Sequence, residues 1–298
     1  MKQYILMSLL LAGLTFNLKA QPKQVKHVIL IGVDGFGAYA IPQANMPNLK
    51  QMMKTGAWSL KARAVLPSSS AVNWASMIMG AGPTEHGYTE WGSKVPEIPS
   101  ATKTKYGLFP SIFSLVRDQK PKAKTAVVYS WDGIGPLIEK EAINFVVPGT
   151  KGYNEDFCAD TTAAIIRKEK PMLTFVHFSE PDNTGHGIGH NTPAYYAELE
   201  KLDVRIGKIL AAVKAAGIEK ETVIILSADH GGVGKGHGGK SLAEVEIPWI
   251  ASGTGVMPNH EIQGVTITYD TAATIAWLLG LKEPQSWRGK PVFEAFKQ

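Results

Sequence analysis

The chain has 298 residues, of which 44% are hydrophobic and 19% charged, with a formal net charge of +5 at pH 7. That length holds one large α/β domain or two small ones, and the composition excludes a disordered chain and a coiled coil. The mild positive excess is spread along the chain without a basic stripe, which admits anionic substrates and argues against binding of a nucleic-acid duplex.

Residues 1 to 20 differ from the rest. Lys2 supplies a positive start, Tyr4 to Phe16 an apolar run, and Leu18–Lys19–Ala20 before Gln21 reads as a cleavage site. A secretory signal peptide is expected here, with residues 21–298 as a single domain and no membrane span. Its removal takes away Lys2 and Lys19 and no acids, so the net charge falls from +5 to +3. Cys158 is the lone cysteine, which excludes an intramolecular disulfide and a cysteine-held zinc. An exported protein without disulfides fits a periplasmic or secreted location.

The mature sequence opens with an aliphatic run, Val28 to Val33, that reads as a buried parallel strand and ends in Asp34–Gly35–Phe36–Gly37. Asp34 thus stands where ligands collect in open α/β sheets, although Asp-Gly after a strand is also a common turn. Met46 to Thr55 reads as a short helix. Pro67–Ser68–Ser69–Ser70 then precedes an apolar helix running to Met79. Serines cap helix N-termini, and the same N-terminus stabilises an anion and a deprotonated hydroxyl; chemistry alone does not choose among the three. Asn73, one turn inside, could donate to a bound oxyanion.

Pro83 to Tyr88 reads as a turn and residues 89–105 as a polar loop. Pro110 to Gln119 reads as a helix, Thr125 to Ser130 and Asn144 to Val147 as strands, and Glu155 to Lys168 as a helix. The strand Met172 to Phe178 leads into Pro181–Asp182–Asn183–Thr184–Gly185–His186, an acid and an imidazole four apart in a glycine-containing loop. His190 follows as a ligand, a substrate contact or an exposed residue. A long helix, Tyr195 to Ala215, carries a leucine and isoleucine stripe that reads as core. The strand Val223 to Leu226 ends in Ser227–Ala228–Asp229–His230–Gly231–Gly232, with His237 seven residues after His230. Val245 to Ala251 is a further strand and Asp270 to Leu279 a helix. Alternation of strand and helix predicts a mostly parallel sheet covered on both faces.

A parallel sheet would bring Asp34, Asp182, His186, Asp229 and His230 to one edge. With His237 they make three carboxylates and three imidazoles, enough for two metals with three protein ligands each; this mixed donor set points to zinc. Two divalent ions and a serine at a helix N-terminus suit phosphoryl transfer.

These pieces resemble the alkaline phosphatase superfamily, and within it the nucleotide pyrophosphatase/phosphodiesterase-like branch. The resemblance rests on Gly32–Val33–Asp34–Gly35–Phe36, the Pro67 to Gly87 segment, Pro181 to His186 and Ser227 to Gly231. It implies an alkaline-phosphatase-like three-layer α/β sandwich and a hydrolase that cleaves phosphodiester or nucleotide pyrophosphate bonds through a phosphoseryl intermediate. It further implies Asp34, Asp229 and His230 as ligands of one zinc and Asp182 and His186 as ligands of the other. In that branch the nucleophile, itself at the metal, lies sixteen positions before the histidine of a Pro-x-x-His-Gly turn, with an Asn three after it. Those counts fall on Ser70 and Asn73.

Two features depart from the branch. Serine replaces its usual threonine, and its last zinc-binding histidine lies far downstream. Here the candidate is His237, with His260 the only later histidine. A sulfatase would need Pro and Arg just after the nucleophile, and Ser70–Ala71–Val72–Asn73–Trp74 has neither. A phosphomutase on this fold is usually cytoplasmic and carries a larger inserted domain. Monoesterases of the superfamily add an arginine and a magnesium; near Ser70 only Arg63 offers itself, which favours a small diester or pyrophosphate substrate. A non-catalytic binding protein on the same fold is the remaining alternative.

Overall fold

Seven consecutive residues from His27 to Val33 form β1, and from Val28 onward each is buried, as expected for a central strand. The computed structural model describes residues 24–149 and 154–297, so the expected signal peptide, residues 1–20, lies outside the described residues. The further strands are β2 (Ala57–Arg63), β3 (Thr125–Tyr129), β4 (Phe145–Pro148), β5 (Leu173–Phe178), β6 (Thr222–Ala228), β7 (Glu246–Gly253) and β8 (His260–Glu261). The helices are α1 (Pro47–Thr55), α2 (Ser70–Met79), α3 (Pro83–His86), α4 (Ile112–Gln119), α5 (Glu155–Glu169), α6 (Asp182–Gly187), α7 (Pro193–Ala215), α8 (Leu242–Val245) and α9 (Asp270–Leu278). Among them no helix is long and apolar enough to cross a membrane.

One sheet carries all eight strands in the order β4-β3-β5-β1-β6-β7-β2-β8. Every pairing is parallel except those of β7, which runs antiparallel to both β6 and β2. Helices α1, α5 and α7 pack on one another and against the sheet, and α2, α4 and α9 form a second group. This is the expected three-layer, mostly parallel α/β sandwich.

Register decides where the strands stop together. Val33 lies opposite Phe178 of β5 and opposite Ala228 of β6, and Tyr129 of β3 lies opposite His177. Three adjacent parallel strands therefore release their chains at one level, and Asp34, Ser179 and Asp229 are the next residues.

Two strands were not expected. In β2 the polar Ser59, Lys61 and Arg63 interrupt the apolar residues, because this strand near the sheet edge is only half-buried. The two-residue β8 is too short for any periodicity. The Asp182–His186 stretch, expected as a loop, is helical instead. Asn183, Gly185 and Gly187 have poor helix propensity, but the surrounding structure overrides it and places Asp182 and His186 on one face.

The short α3 is tied to α2 through His86. Tyr88 N–H donates to His86 Nδ1 (3.1 Å), so the ring proton sits on Nε2, 2.9 Å from Ser76 Oγ, which donates to Val72 O (2.8 Å). Burial lowers the pKa of His86 from 6.5 to about 3. A histidine depressed on folding contributes stability above its unfolded pKa, and that contribution is lost as pH falls from about 6.5 toward about 3. From about pH 7 to about pH 5, the denaturation midpoint of the wild type should fall more steeply than that of His86→Gln. The difference should approach about 1.4 kcal/mol per pH unit at the acid end. Parallel slopes would show that His86 is not held neutral.

Candidate metal centre

Asp34 follows β1 directly, Asp229 follows β6 directly, and Asp182 opens α6; all three are buried. Asp34 Oδ2 accepts from Trp74 Nε1 (3.2 Å) and lies 3.2 Å from His177 Nε2. Asp229 Oδ1 accepts from the backbone N–H groups of Gly35 (3.1 Å) and His230 (2.9 Å). Asp34 Oδ1, Asp182 Oδ1 and Asp229 Oδ2 remain buried with no hydrogen-bond partner among the described residues. Burial, followed by the charges of Asp34 and Asp182, pushes the Asp229 pKa well above its ordinary value. Buried carboxylate oxygens that face one another without donors are what a bound cation resolves.

The imidazoles complete the fit. Each of the three places its Nδ1 against a backbone carbonyl, which can only accept: His230 on Gly231 O (2.8 Å), His237 on Ser68 O (3.1 Å) and His186 on Lys235 O (2.9 Å). That contact assigns the Nδ1 proton and turns Nε2 inward as the free ligand atom. His230 Nε2 lies 3.1 Å from Asp229 Oδ2 and 3.5 Å from Asp34 Oδ1. Burial first, then neighbouring His237, lowers its pKa to about 3, so this ring stays neutral as a ligand must. His237 stacks on His230 with centroids 3.7 Å apart, and its Nε2 is 3.1 Å from that of His186. His186 Nε2 is 3.3 Å from Asp182 Oδ2; that contact, against opposing burial, raises the His186 pKa to about 9 in the metal-free protein.

Two groups of ligand atoms result, each within 4.8 Å. One joins Asp182, His186 and His237, and the other joins Asp34, Asp182 and His230, with Asp229 beside His230. Asp182 belongs to both. His260 lies elsewhere, on β8, paired with Glu294 at 3.2 Å.

Of the three serines, Ser70 meets the cluster: its Oγ is 3.2 Å from His230 Nε2, at the first residue of α2. Ser68 Oγ instead donates to Gly239 O (2.7 Å) and accepts from Gly238 N–H (3.2 Å), and Ser69 Oγ has no partner. A cavity of about 120 Å³ in front of Ser70 is walled by Trp91 and Trp131 as well as by Asp182 and His186.

The oxyanion role expected of Asn73 is not the one its hydrogen bonds perform. Fully buried, its Oδ1 accepts from Val65 N–H (2.7 Å) and its Nδ2 donates to the carbonyls of Val65 (3.1 Å), Pro67 (3.1 Å) and Ser69 (3.2 Å). With every amide group committed, Asn73 shapes the loop that delivers Ser70. His177, overlooked in the sequence, sits fully buried inside β5 against Asp34; a histidine within an apolar strand was the available signal. Tyr195 also escaped notice: its hydroxyl donates to Gly35 O (2.6 Å) and accepts from Gly37 N–H (3.2 Å), fixing the turn after Asp34. His190 is buried, which removes the exposed alternative.

A sheet whose strand ends gather acids and histidines before a serine at a helix N-terminus has the architecture of the alkaline phosphatase superfamily. Within it, the model of the type I phosphodiesterase/nucleotide pyrophosphatase family matches residues 28–235, and the chain belongs to that family. A venom phosphodiesterase of Macrovipera lebetinus is 25% identical over 224 residues, which cover 68% of this chain and 25% of that protein. Ectonucleotide pyrophosphatase/phosphodiesterase family member 5 of Homo sapiens is 25% identical over 245 residues, 77% of this chain and 50% of that protein. The chain thus spans a quarter to a half of the length of these curated relatives. The murine family member 5, solved as an inactive form in complex with AMP, superposes with a TM-score of 0.74 at 15% identity, covering 91% of this chain and 98% of that one.

If the cluster holds metal, exhaustive chelation should lower the unfolding temperature and zinc should restore it. At a free zinc concentration of about 100 Kd the gain should be about 2.7 kcal/mol. A transition that neither treatment moves would exclude the metal reading.

Proposed function

We propose that this protein hydrolyses phosphodiester or nucleotide pyrophosphate bonds with Ser70 as nucleophile. The observation that carries the reading is the Ser70 hydroxyl, 3.2 Å from the inward Nε2 of His230, beside carboxylate oxygens that have no partner. Asp34, Asp229 and His230 would hold one divalent ion, with Ser70 at its edge, and Asp182, His186 and His237 a second. The nitrogen and carboxylate donors suit zinc, which when bound supplies Lewis-acid stabilisation and lowers the pKa of a hydroxyl.

The chain's own residues account for the rest. Ser70 Oγ gives up its proton to water and forms a bond to phosphorus while the bond to the leaving oxygen breaks, and that oxygen takes up a proton from water. Water then cleaves the phosphoseryl ester and returns the hydroxyl. The N-terminal end of α2 favours the negative charge that gathers at Ser70. Trp91, exposed at the rim, borders both the small cavity and an adjoining one of about 520 Å³ formed with Pro67 and Gly238. That space suits the second arm of a diester, such as a nucleoside.

Among the described residues neither cavity has an arginine or lysine in its wall, and Arg63, the one candidate near in sequence, pairs with Glu246 at 2.9 Å. Without an added cation, a singly charged diester is favoured over a doubly charged monoester. The family match and the names of its relatives support the same substrate class. Reading residues 1–20 as an export signal and residues 21–298 as the catalytic domain makes a periplasmic or secreted location the proposed one, and the "ecto" names of the relatives support it.

The test is turnover of an aryl phosphodiester, its monoester and its sulfate ester by metal-stripped and zinc-loaded protein. Zinc-loaded wild type should prefer the diester, and Ser70→Ala should lose at least about 10³-fold in kcat/KM. Preference for the monoester would overturn the substrate class, and an active Ser70→Ala the nucleophile.

A further inference from the structure

His190 lies just beyond α6, and its side chain is wholly enclosed. The ring occupies a slot that two glycines leave open. A Cβ on Gly185 would come within 2.5 Å of its Cε1 and Nε2, and a Cβ on Gly232 within 2.4 Å of the same atoms. The backbone is pinned as well, since His190 N–H donates to Gly234 O (2.7 Å), and the ring rests against Tyr195 with centroids 5.4 Å apart. A slot built this closely from α6 and from the loop after β6 fixes one orientation of the imidazole.

Despite that enclosure neither ring nitrogen has a hydrogen-bond partner among the described residues. Nε2 lies 3.7 Å from Asp182 Oδ1, which is also buried and unpartnered. Two complementary polar atoms left facing each other just outside bonding distance are an unfinished hydrogen bond, and leaving both unsatisfied is costly. Asp182 is also the carboxylate that belongs to both ligand groups, with its other oxygen, Oδ2, 3.3 Å from His186.

We infer that His190 is a positioning residue for Asp182. When metal is bound, its Nε2–H donates to one lone pair of Asp182 Oδ1, holding the carboxylate toward the ion shared with His186 and His237 and stopping Asp182 from drifting toward the Asp34 group. Such outer partners of a ligating carboxylate tune metal affinity by about 10- to 100-fold. The inference rests on the two-metal reading above.

The test reads zinc, not activity: competitive titration of the stripped full-length protein with a chromogenic chelator, giving the stoichiometry and both dissociation constants. His190→Phe fills the slot without a nitrogen, with His190→Leu in reserve if that variant does not fold. His190→Gln keeps an N–H near the place of Nε2. Wild type should bind two zinc ions. His190→Phe should weaken one by about 10- to 100-fold and leave the other within about twofold, and His190→Gln should recover most of the loss. Unchanged affinities in His190→Phe, or equal losses in Phe and Gln, would overturn the positioning role while leaving the metal centre standing. X-ray absorption showing His190 directly on zinc would also overturn it. A wild type that binds no zinc would instead defeat the metal reading itself.

Discussion

Asp34, Asp182 and Asp229 converge in a buried space at the ends of the strands, and much of the surrounding fold answers their mutual repulsion. Backbone N–H groups of Gly35 and His230 hold one oxygen of Asp229; the indole of Trp74 and the ring of His177 hold one of Asp34. What remains unanswered is one oxygen on each acid. Such an arrangement persists only because the aliphatic strands β1, β5 and β6, buried along their length, fix where the three chains end.

The imidazoles obey the same logic from the other side. His186 comes from α6, and His230 and His237 from the loop after β6, yet each rests Nδ1 on a main-chain carbonyl and points Nε2 at the acids. A tautomer chosen by the backbone does not depend on any neighbouring side chain.

The sequence made the central strands legible because β1, β5 and β6 are continuous apolar runs, and the acid–histidine pairs stand out immediately after two of them. It concealed what depends on direction. Asn73 sits at the right count from Ser70, but spacing along the chain says nothing about which way an amide points, and its amide faces the 65–69 loop. Gly185 and Gly187 disguised α6 as a loop, and Ser59, Lys61 and Arg63 disguised β2. His177 was lost among the apolar residues of β5, and the nearness of His190 to Asp182 exists only once α6 has formed.

Ser68, two residues before Ser70, touches the glycine-rich loop three times: its carbonyl takes the Nδ1–H of His237, its hydroxyl donates to Gly239 O, and the same hydroxyl accepts from Gly238 N–H. The segment that carries Ser70 and the segment that carries His237 are therefore laced into one mechanical unit. Neither can swing aside alone, so under the proposed function holding a metal and aligning the Ser70 oxygen would be a single event rather than two in sequence. A histidine supplied from a distant part of the chain would lack that lacing. With His237 on a loop bonded to the Ser70 segment, this protein exchanges independent adjustment of the two for concerted movement.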